Sequence, residues 1–285
     1  MEAIETAACL NCGRPLTGQY CAGCGQKRRD TDPTLREFLH ETTAELTQWD
    51  GKIPSTLKTL FFRPGALTQD FLAGRRARWL QPLRLYLICS LAFFVSKPLA
   101  EAISSRSGRE PARITITNPD GTTTLTPEVL EELEAGLPAR VFGRDRLVRA
   151  ATNNAQLNRE IEAVLPKAMF ILLPIMALLT MLVWRHHLPR YPAHLYLALH
   201  LHSAWFGALA ILTIVQAFFA SEVVVGVLGV AVFVYVAGYG LLAVRRIFGD
   251  SWVKTMAKAV VVTVGYSFCL FFLSLVLLAY ALTKM

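Results

Sequence analysis

Four cysteines near the start of the chain have the residue type and spacing that binding of a single metal ion requires. One C-x-x-C-G element spans residues 9–13 and a second spans residues 21–25. Thiolates suit tetrahedral zinc, and a glycine after the second cysteine of each pair permits the left-handed turn that closes a knuckle. We therefore predict a structural Zn²⁺ site with four protein ligands and no open position for catalysis. The predicted ligands are Cys9, Cys12, Cys21 and Cys24.

A redox-active pair is the alternative interpretation of any single C-x-x-C element. Two such elements so close together fit one shared ion better. The predicted zinc ribbon, residues 1–29, is too short to build a core unaided, so the metal must supply its folding energy. Residues 9–25 resemble the short zinc-ribbon modules found at the N-termini of many bacterial membrane and regulatory proteins.

Long apolar runs dominate the rest of the chain. Hydrophobic residues make up 53% of it and charged residues 18%, and the excess is concentrated in runs that approach or exceed the roughly 20 residues needed to cross a bilayer. The predicted fold is an all-α integral membrane helical bundle of about five spans with a small N-terminal zinc ribbon of four cysteines. The predicted spans are residues 81–100, 167–184, 193–219, 222–244 and 257–282.

Basic residues flank these runs on one side and predict the orientation. The positive-inside rule then places the N-terminus in the cytoplasm and the C-terminus in the periplasm or outside the cell. The cysteines would lie in a reducing compartment. Because most of the cations that give the net charge of +8 lie beside apolar runs, no nucleic-acid partner is expected. The flanking cations are Arg75, Arg76, Arg78, Arg185, Arg190, Arg245, Arg246, Lys254 and Lys258.

Residues 30–80, between the ribbon and the first span (residues 81–100), predict amphipathic helices. One covers about 15 residues from Pro33, and shorter helices cover residues 55–62 and 66–73. Two interpretations remain open: these helices lie along the membrane surface, or they pack on the spans.

The segment 101–166 predicts a small extracytoplasmic α+β loop. Residues 114–126 have a hairpin pattern around Asn118-Pro119-Asp120-Gly121, and residues 127–134 and 145–165 predict helices. Residues 167–285 then form a four-span bundle.

Histidines form the other candidate cluster. His194, His200 and His202 lie at the entry to the third span, where ionisable groups are costly and often functional. A metal or proton-relay site is one interpretation. Histidines satisfied by neighbouring helices are the other. No catalytic residue is predicted.

Several motifs together resemble a family of uncharacterised bacterial inner-membrane proteins. The resemblance implies a location in the bacterial inner (plasma) membrane and a zinc ribbon, and no activity. Its motifs are Cys9-x-x-Cys12-Gly13, Cys21-x-x-Cys24-Gly25-Gln26-Lys27, Phe62-Arg63-Pro64-Gly65, Gly74-Arg75-Arg76, Pro82-Leu83-Arg84-Leu85-Tyr86 and Ala198-Leu199-His200-Leu201-His202-Ser203.

Function is therefore predicted only by class. The first hypothesis is a non-enzymatic scaffold, sensor or partner-recruiting membrane protein, which contacts membrane lipid and binds a cytosolic protein through the ribbon. The alternatives are a small-molecule or ion transporter or channel component, built as a homo-oligomer because five spans are few, and a membrane enzyme that uses the histidine cluster.

Overall fold

The computed structural model describes residues 8–28, 51–106, 154–219 and 221–284. Seven α-helices lie in this part of the chain. They are α1 (Ile53–Phe62), α2 (Ala66–Leu72), α3 (Pro82–Arg106), α4 (Asn154–Trp184), α5 (Tyr191–Gln216), α6 (Glu222–Phe248) and α7 (Trp252–Lys284).

Five of these helices are long and apolar enough to cross a membrane. They are α3, the Val164–Trp184 part of α4, α5, the Val223–Phe248 part of α6, and α7. Their lengths run from 21 to 33 residues, against the roughly 20 that a bilayer requires. The described residues therefore contain the predicted number of candidate spans, and the chain is a multi-pass membrane protein.

Two helix boundaries differ from the prediction. Helix α3 continues past residue 100 to Arg106, and α4 already begins at Asn154 and passes through Pro166 without a break. A proline costs a membrane helix little when neighbouring groups satisfy the freed carbonyl. The predicted extracytoplasmic α+β loop gains no support, because the described residues contain no strand and the predicted hairpin at 114–126 lies outside them.

Helix α5 is the most buried of the five, and it packs against α1, α2, α3 and α6. The ring of Phe206 on α5 contacts Tyr86 and Phe93 of α3, with ring centroids 5.8 and 5.4 Å apart. Nearer the start of α5, Leu197 packs in one cluster with Trp184 and Val244. Aromatic and aliphatic packing of this kind fixes which face of α5 meets which helix.

The short helices α1 and α2 lie close to their predicted positions. The break between them falls at Pro64-Gly65, as the sequence predicts, and Gly65 has a φ of +75° that other residues rarely adopt. Leu60 and Phe71 are fully buried. Both helices pack against α5, and α2 also packs against α6. The predicted amphipathic helix that starts near Pro33 lies outside the described residues.

The described residues divide into two compact units. One contains residues 8–28, 51–106, 176–219 and 221–262, and the other contains residues 154–175 and 263–284. Both candidate sites lie in the first unit. In the second, Phe268 and Phe272 of α7 pack with ring centroids 4.6 Å apart.

Candidate metal centre and buried histidines

The two C-x-x-C-G elements fold into matching knuckles. In the first, the Cys9 N–H donates to Arg14 O at 2.8 Å, and in the second the Cys21 N–H donates to Gln26 O at 2.9 Å. The glycine that closes each knuckle has a positive φ, +76° at Gly13 and +72° at Gly25. The predicted left-handed turns are therefore present, because glycine alone adopts this conformation without a Cβ clash.

The four cysteine sulfurs converge on one point. One ligand atom from each of Cys9, Cys12, Cys21 and Cys24 lies within 4.8 Å of the others. The Cys9–Cys24 and Cys12–Cys21 sulfur pairs are 3.6 and 3.5 Å apart. A tetrahedral ion with metal–sulfur bonds of about 2.3 Å requires sulfurs about 3.8 Å apart, whereas a disulfide requires about 2.05 Å. The spacing fits a shared metal ion.

The electrostatics of the sulfurs also favour a bound cation. The backbone N–H of Gly23 lowers the pKa of the Cys21 thiol. Burial raises the pKa of Cys24, but the backbone N–H of Gln26 and the Asn11 side chain outweigh it and lower the pKa to about 6. At Cys12 the Arg14 N–H lowers the pKa, but the neighbouring sulfurs and desolvation together raise it to about 11. Crowded thiols resist simultaneous ionisation, and a divalent cation removes that repulsion.

The knuckles are docked on the loop between α2 and α3. The Gln26 side-chain N–H donates to Gly74 O at 2.8 Å, and its side-chain oxygen accepts the backbone N–H groups of Arg76 and Ala77, both at 3.0 Å. The ribbon touches Gly74 closely: a Cβ there would lie 2.6 Å from Leu10 Cδ1, so the Leu10 side chain would have to move. Three hydrogen bonds from one side chain hold the metal-binding segment against this loop.

Asp70 at the end of α2 holds the same loop from its other side. It accepts hydrogen bonds from the Arg75 guanidinium at 2.6 Å and from the Trp79 indole N–H at 2.7 Å. Farther along, the Arg78 guanidinium donates to the Asn11 carbonyl at 3.1 Å. The arginines that the sequence marks as a topology signal therefore also carry structural contacts.

The three predicted histidines have different partners. His200 Nδ1 lies 2.8 Å from the hydroxyl of Thr68 on α2. His194 Nε2 bonds Leu188 O at 2.8 Å, and its ring stacks on Phe248 with centroids 5.8 Å apart. His202 Nδ1 bonds Ala198 O of its own helix, also at 2.8 Å.

These contacts leave one ring nitrogen of His194 and one of His200 buried without a hydrogen-bond partner among the described residues. In that part of the chain, the cysteines are the only group of three or more ligating side chains close enough to hold a metal ion. The three histidines contact separate groups, and a functional role for them stays a prediction.

Sequence reasoning missed a polar centre at Asp250, between α6 and α7. Its carboxylate accepts the Trp184 indole N–H and the Lys258 ammonium, each at 2.8 Å. His187 Nε2 lies 3.6 Å away. The hydrogen bond from Lys258 lowers the pKa of Asp250, so the carboxyl is ionised. An isolated Asp in a Gly-Asp-Ser turn resembles a helix start, and no periodicity marks these partners.

Fold and site together define a multi-pass membrane protein with a four-cysteine cluster able to hold a metal ion. A family model described as "Protein of unknown function (DUF3667)" matches residues 50–94. That range contains α1, α2, the loop that receives Gln26, and the first half of α3. The match supports an uncharacterised domain family. Neither the curated proteins nor the solved structures give a match.

Proposed function

We propose that this chain is a non-catalytic, multi-pass bacterial inner-membrane protein whose structural zinc ribbon forms a partner-binding platform at the cytoplasmic end of the spans. The observation that carries the proposal is the docking of Gln26 on the loop that precedes α3. A ribbon held by several hydrogen bonds presents one fixed face to a partner, and preorganisation of this kind favours recognition.

Zinc is the metal that the site favours. Four thiolates at tetrahedral spacing select a soft or borderline ion, and Zn²⁺ needs no further ligand. Because every position is filled by protein, such an ion would stabilise the ribbon without offering a site for substrate. The transporter and enzyme alternatives have less support, because the three described histidines bond separate groups and do not form one site.

The proposed orientation is supported by the contacts of the basic residues. The Arg76 guanidinium lies 5.6 Å from the ring centroid of Tyr196 near the start of α5. The Arg245 guanidinium lies 3.9 Å from the Trp252 ring at the start of α7. Both contacts lie beside helix ends that a five-span layout puts on the ribbon side. The positive-inside rule makes that side cytoplasmic.

Metal analysis tests the zinc site. Purified protein in detergent should contain one zinc ion per chain, and Cys9→Ser should contain none while its helical circular dichroism is retained. Cys269→Ser, which changes a cysteine far from the ribbon in sequence, is the matched control and should keep its zinc. A wild-type protein purified without any metal would contradict the proposed zinc site.

Labelling from outside intact cells tests the orientation. A membrane-impermeant maleimide should react with Ser105→Cys at the far end of α3 and should not react with Thr17→Cys on the ribbon. The reverse pattern would overturn the cytoplasmic assignment. Permeabilised cells should expose both positions equally, which controls for reactivity.

A photo-crosslinking residue tests the platform role. Tyr20 is 60% exposed on the ribbon and is the position of choice. The probe at Tyr20 should capture a cytosolic protein in cells, and the adduct should disappear when Cys9→Ser is added. The same probe at Val253, on α7, should capture none. Failure at Tyr20 under conditions where the ribbon holds zinc would refute partner recruitment through this face.

A further inference from the structure

The C-terminal end of α1 contacts the middle of two spanning helices, α5 and α6. A Cβ on Gly207 of α5 would lie 2.4 Å from the ring of Phe61, so this ring fills the space that the glycine leaves. The hydroxyl of Tyr235 on α6 donates to the Phe61 carbonyl at 2.8 Å. At 1.5 Å per residue, Gly207 lies about 24 Å along α5 from Tyr191, and Tyr235 lies about 20 Å along α6 from Phe248.

Exposed apolar side chains on α6 and α7 continue toward the basic helix ends well beyond the level of Phe61. On α6, Leu242 is 48% exposed, and on α7, Val253 and Met256 are 79% and 55% exposed. Exposed apolar side chains on membrane helices require lipid around them. The Arg245–Trp252 pair has the composition of a membrane–water boundary. Tyr235 is about 15 Å along α6 from that boundary.

The chain returns toward the same boundary after α1. Along α5, the contacts step back from Phe61 at Gly207, through Thr68 at His200, to Phe71 at Tyr196, whose ring centroids are 5.5 Å apart. The entry to α1 lies beside the exit from the loop that follows α2, because the Thr56 hydroxyl accepts the Leu80 N–H at 3.3 Å. Both ends of the α1–α2 hairpin are therefore on the ribbon side.

The turn at the tip satisfies its backbone through protein groups. The Phe61 carbonyl accepts the Tyr235 hydroxyl, and the Pro64 carbonyl accepts the Arg246 guanidinium. The Arg63 and Gly65 carbonyls accept N–H groups of α2. Non-helical backbone at membrane depth occurs only where protein or a water-filled cavity meets its polar groups. Side chains from a spanning helix supply that function at two of these carbonyls.

We propose that α1 and α2 form a re-entrant hairpin and that Phe62 at its tip lies among the phospholipid acyl chains of the leaflet on the ribbon side. Phe62 is 79% exposed and follows directly on the residue packed at Gly207. Lys58, one turn earlier on the same exposed face, can extend its ammonium group back to the phosphates. The hairpin would then anchor in the leaflet the same segment that receives the ribbon through Gln26.

Spin-label accessibility in lipid bilayers tests this placement. The full chain carrying Cys89→Ala and Cys269→Ala is reconstituted with its zinc in nanodiscs of phosphatidylethanolamine and phosphatidylglycerol, and this parent must take up no label. Phe62→Cys is then labelled with a nitroxide. Collisions with oxygen report lipid, and collisions with a water-soluble nickel chelate report water. Val234→Cys, which is 62% exposed on α6 beside Tyr235, is the lipid-facing control, and Thr17→Cys is the aqueous control.

The label at Phe62 should match the label at Val234, with high oxygen and low nickel accessibility, and should differ from Thr17 in both. A label at Lys58→Cys should be shallower than the label at Phe62 and supplies the depth gradient if either variant folds poorly. Nickel accessibility at Phe62 equal to that at Thr17 would place the tip in water and overturn the proposal. Low accessibility to both reagents would show a protein contact, such as a second copy, and would overturn it equally.

Discussion

The side-chain oxygen of Gln26 accepts the backbone N–H of Arg76 at 3.0 Å, across 50 residues of sequence. Gln26 is the second residue after Cys24, the last cysteine of the cluster, and the loop it binds leads directly into the first spanning helix. The position of its amide therefore depends on the knuckle that Cys24 closes. The side-chain amide of Gln26, which is not one of the predicted metal ligands, therefore connects the metal-binding segment to the loop before α3.

Removing this amide should free the loop without removing the metal. Gln26→Ala deletes three hydrogen bonds, each worth about 0.5–1.5 kcal/mol. Amide hydrogen exchange of the peptide containing Arg76 and Ala77 should accelerate about tenfold or more. Gln19→Ala, an exposed glutamine on the same ribbon, is the control. Unchanged exchange with zinc retained would show that the docking contact contributes nothing.

Alanine substitutions at two glycines with positive φ distinguish the cost of backbone strain from the cost of close packing. At Gly65, φ is +75° and a Cβ would lie 2.9 Å from the backbone of Ala243 on α6, whereas at Gly249, φ is +68° and the space is open. Gly249→Ala should cost about 1–2 kcal/mol for the left-handed conformation alone. Gly65→Ala should cost about 1–3 kcal/mol more, because the turn must move off α6.

Thermal unfolding in detergent measures both variants. The apparent melting temperature of Gly65→Ala should fall clearly below that of Gly249→Ala. Equal shifts in melting temperature for the two variants would mean that Gly65 is not in close contact with Ala243 of α6.

Asp250 should stabilise the corner between α6 and α7 through its charge. Asp250→Asn keeps an acceptor for the Trp184 indole but loses the ion pair with Lys258, and we expect a loss of about 1–3 kcal/mol. Lys254 is an exposed cation on α7, the helix that carries Lys258. Lys254→Ala is the control and should change the stability little.

The effect of Asp250 should depend on pH with a defined sign. Because Lys258 lowers the pKa of Asp250 in the folded state, the stabilisation is fully present above the ordinary aspartate pKa of about 3.9. It is lost as the pH falls through the lowered pKa. Melting curves of wild type and Asp250→Asn should converge in acid, and a difference that grows in acid would contradict this assignment.

The hydrogen bond between Thr68 and His200 should hold α2 on α5. Thr68 is fully buried, and Thr68→Val preserves its shape but leaves His200 Nδ1 without its hydroxyl partner. We expect a loss of about 1–3 kcal/mol, and Thr68→Ser, which keeps the hydroxyl, should retain most of the stability. If valine and serine variants unfold at the same temperature, the hydroxyl is not responsible for the attachment.

Much of the local structure could be predicted from the sequence because it depends on neighbouring residues. The spacing of the cysteines and the glycines after Cys12 and Cys24 fixes the two knuckles. The length of the apolar runs fixes the number of spanning helices, since the bilayer sets a minimum length that only a few segments reach. The Pro64-Gly65 break could also be predicted, because proline and glycine act on the backbone locally.

The tertiary structure alone decided what the amphipathic segment and the polar residues contact. Gln26 meets Gly74 across 48 residues and Tyr235 meets Phe61 across 174, and no periodicity in one segment encodes its partner in another. The histidines are close together in sequence but bond three separate groups. Spacing thus fixed the metal ligands and the spans, because those depend on short-range geometry and on length, whereas docking depends on which surfaces are complementary once the helices have packed.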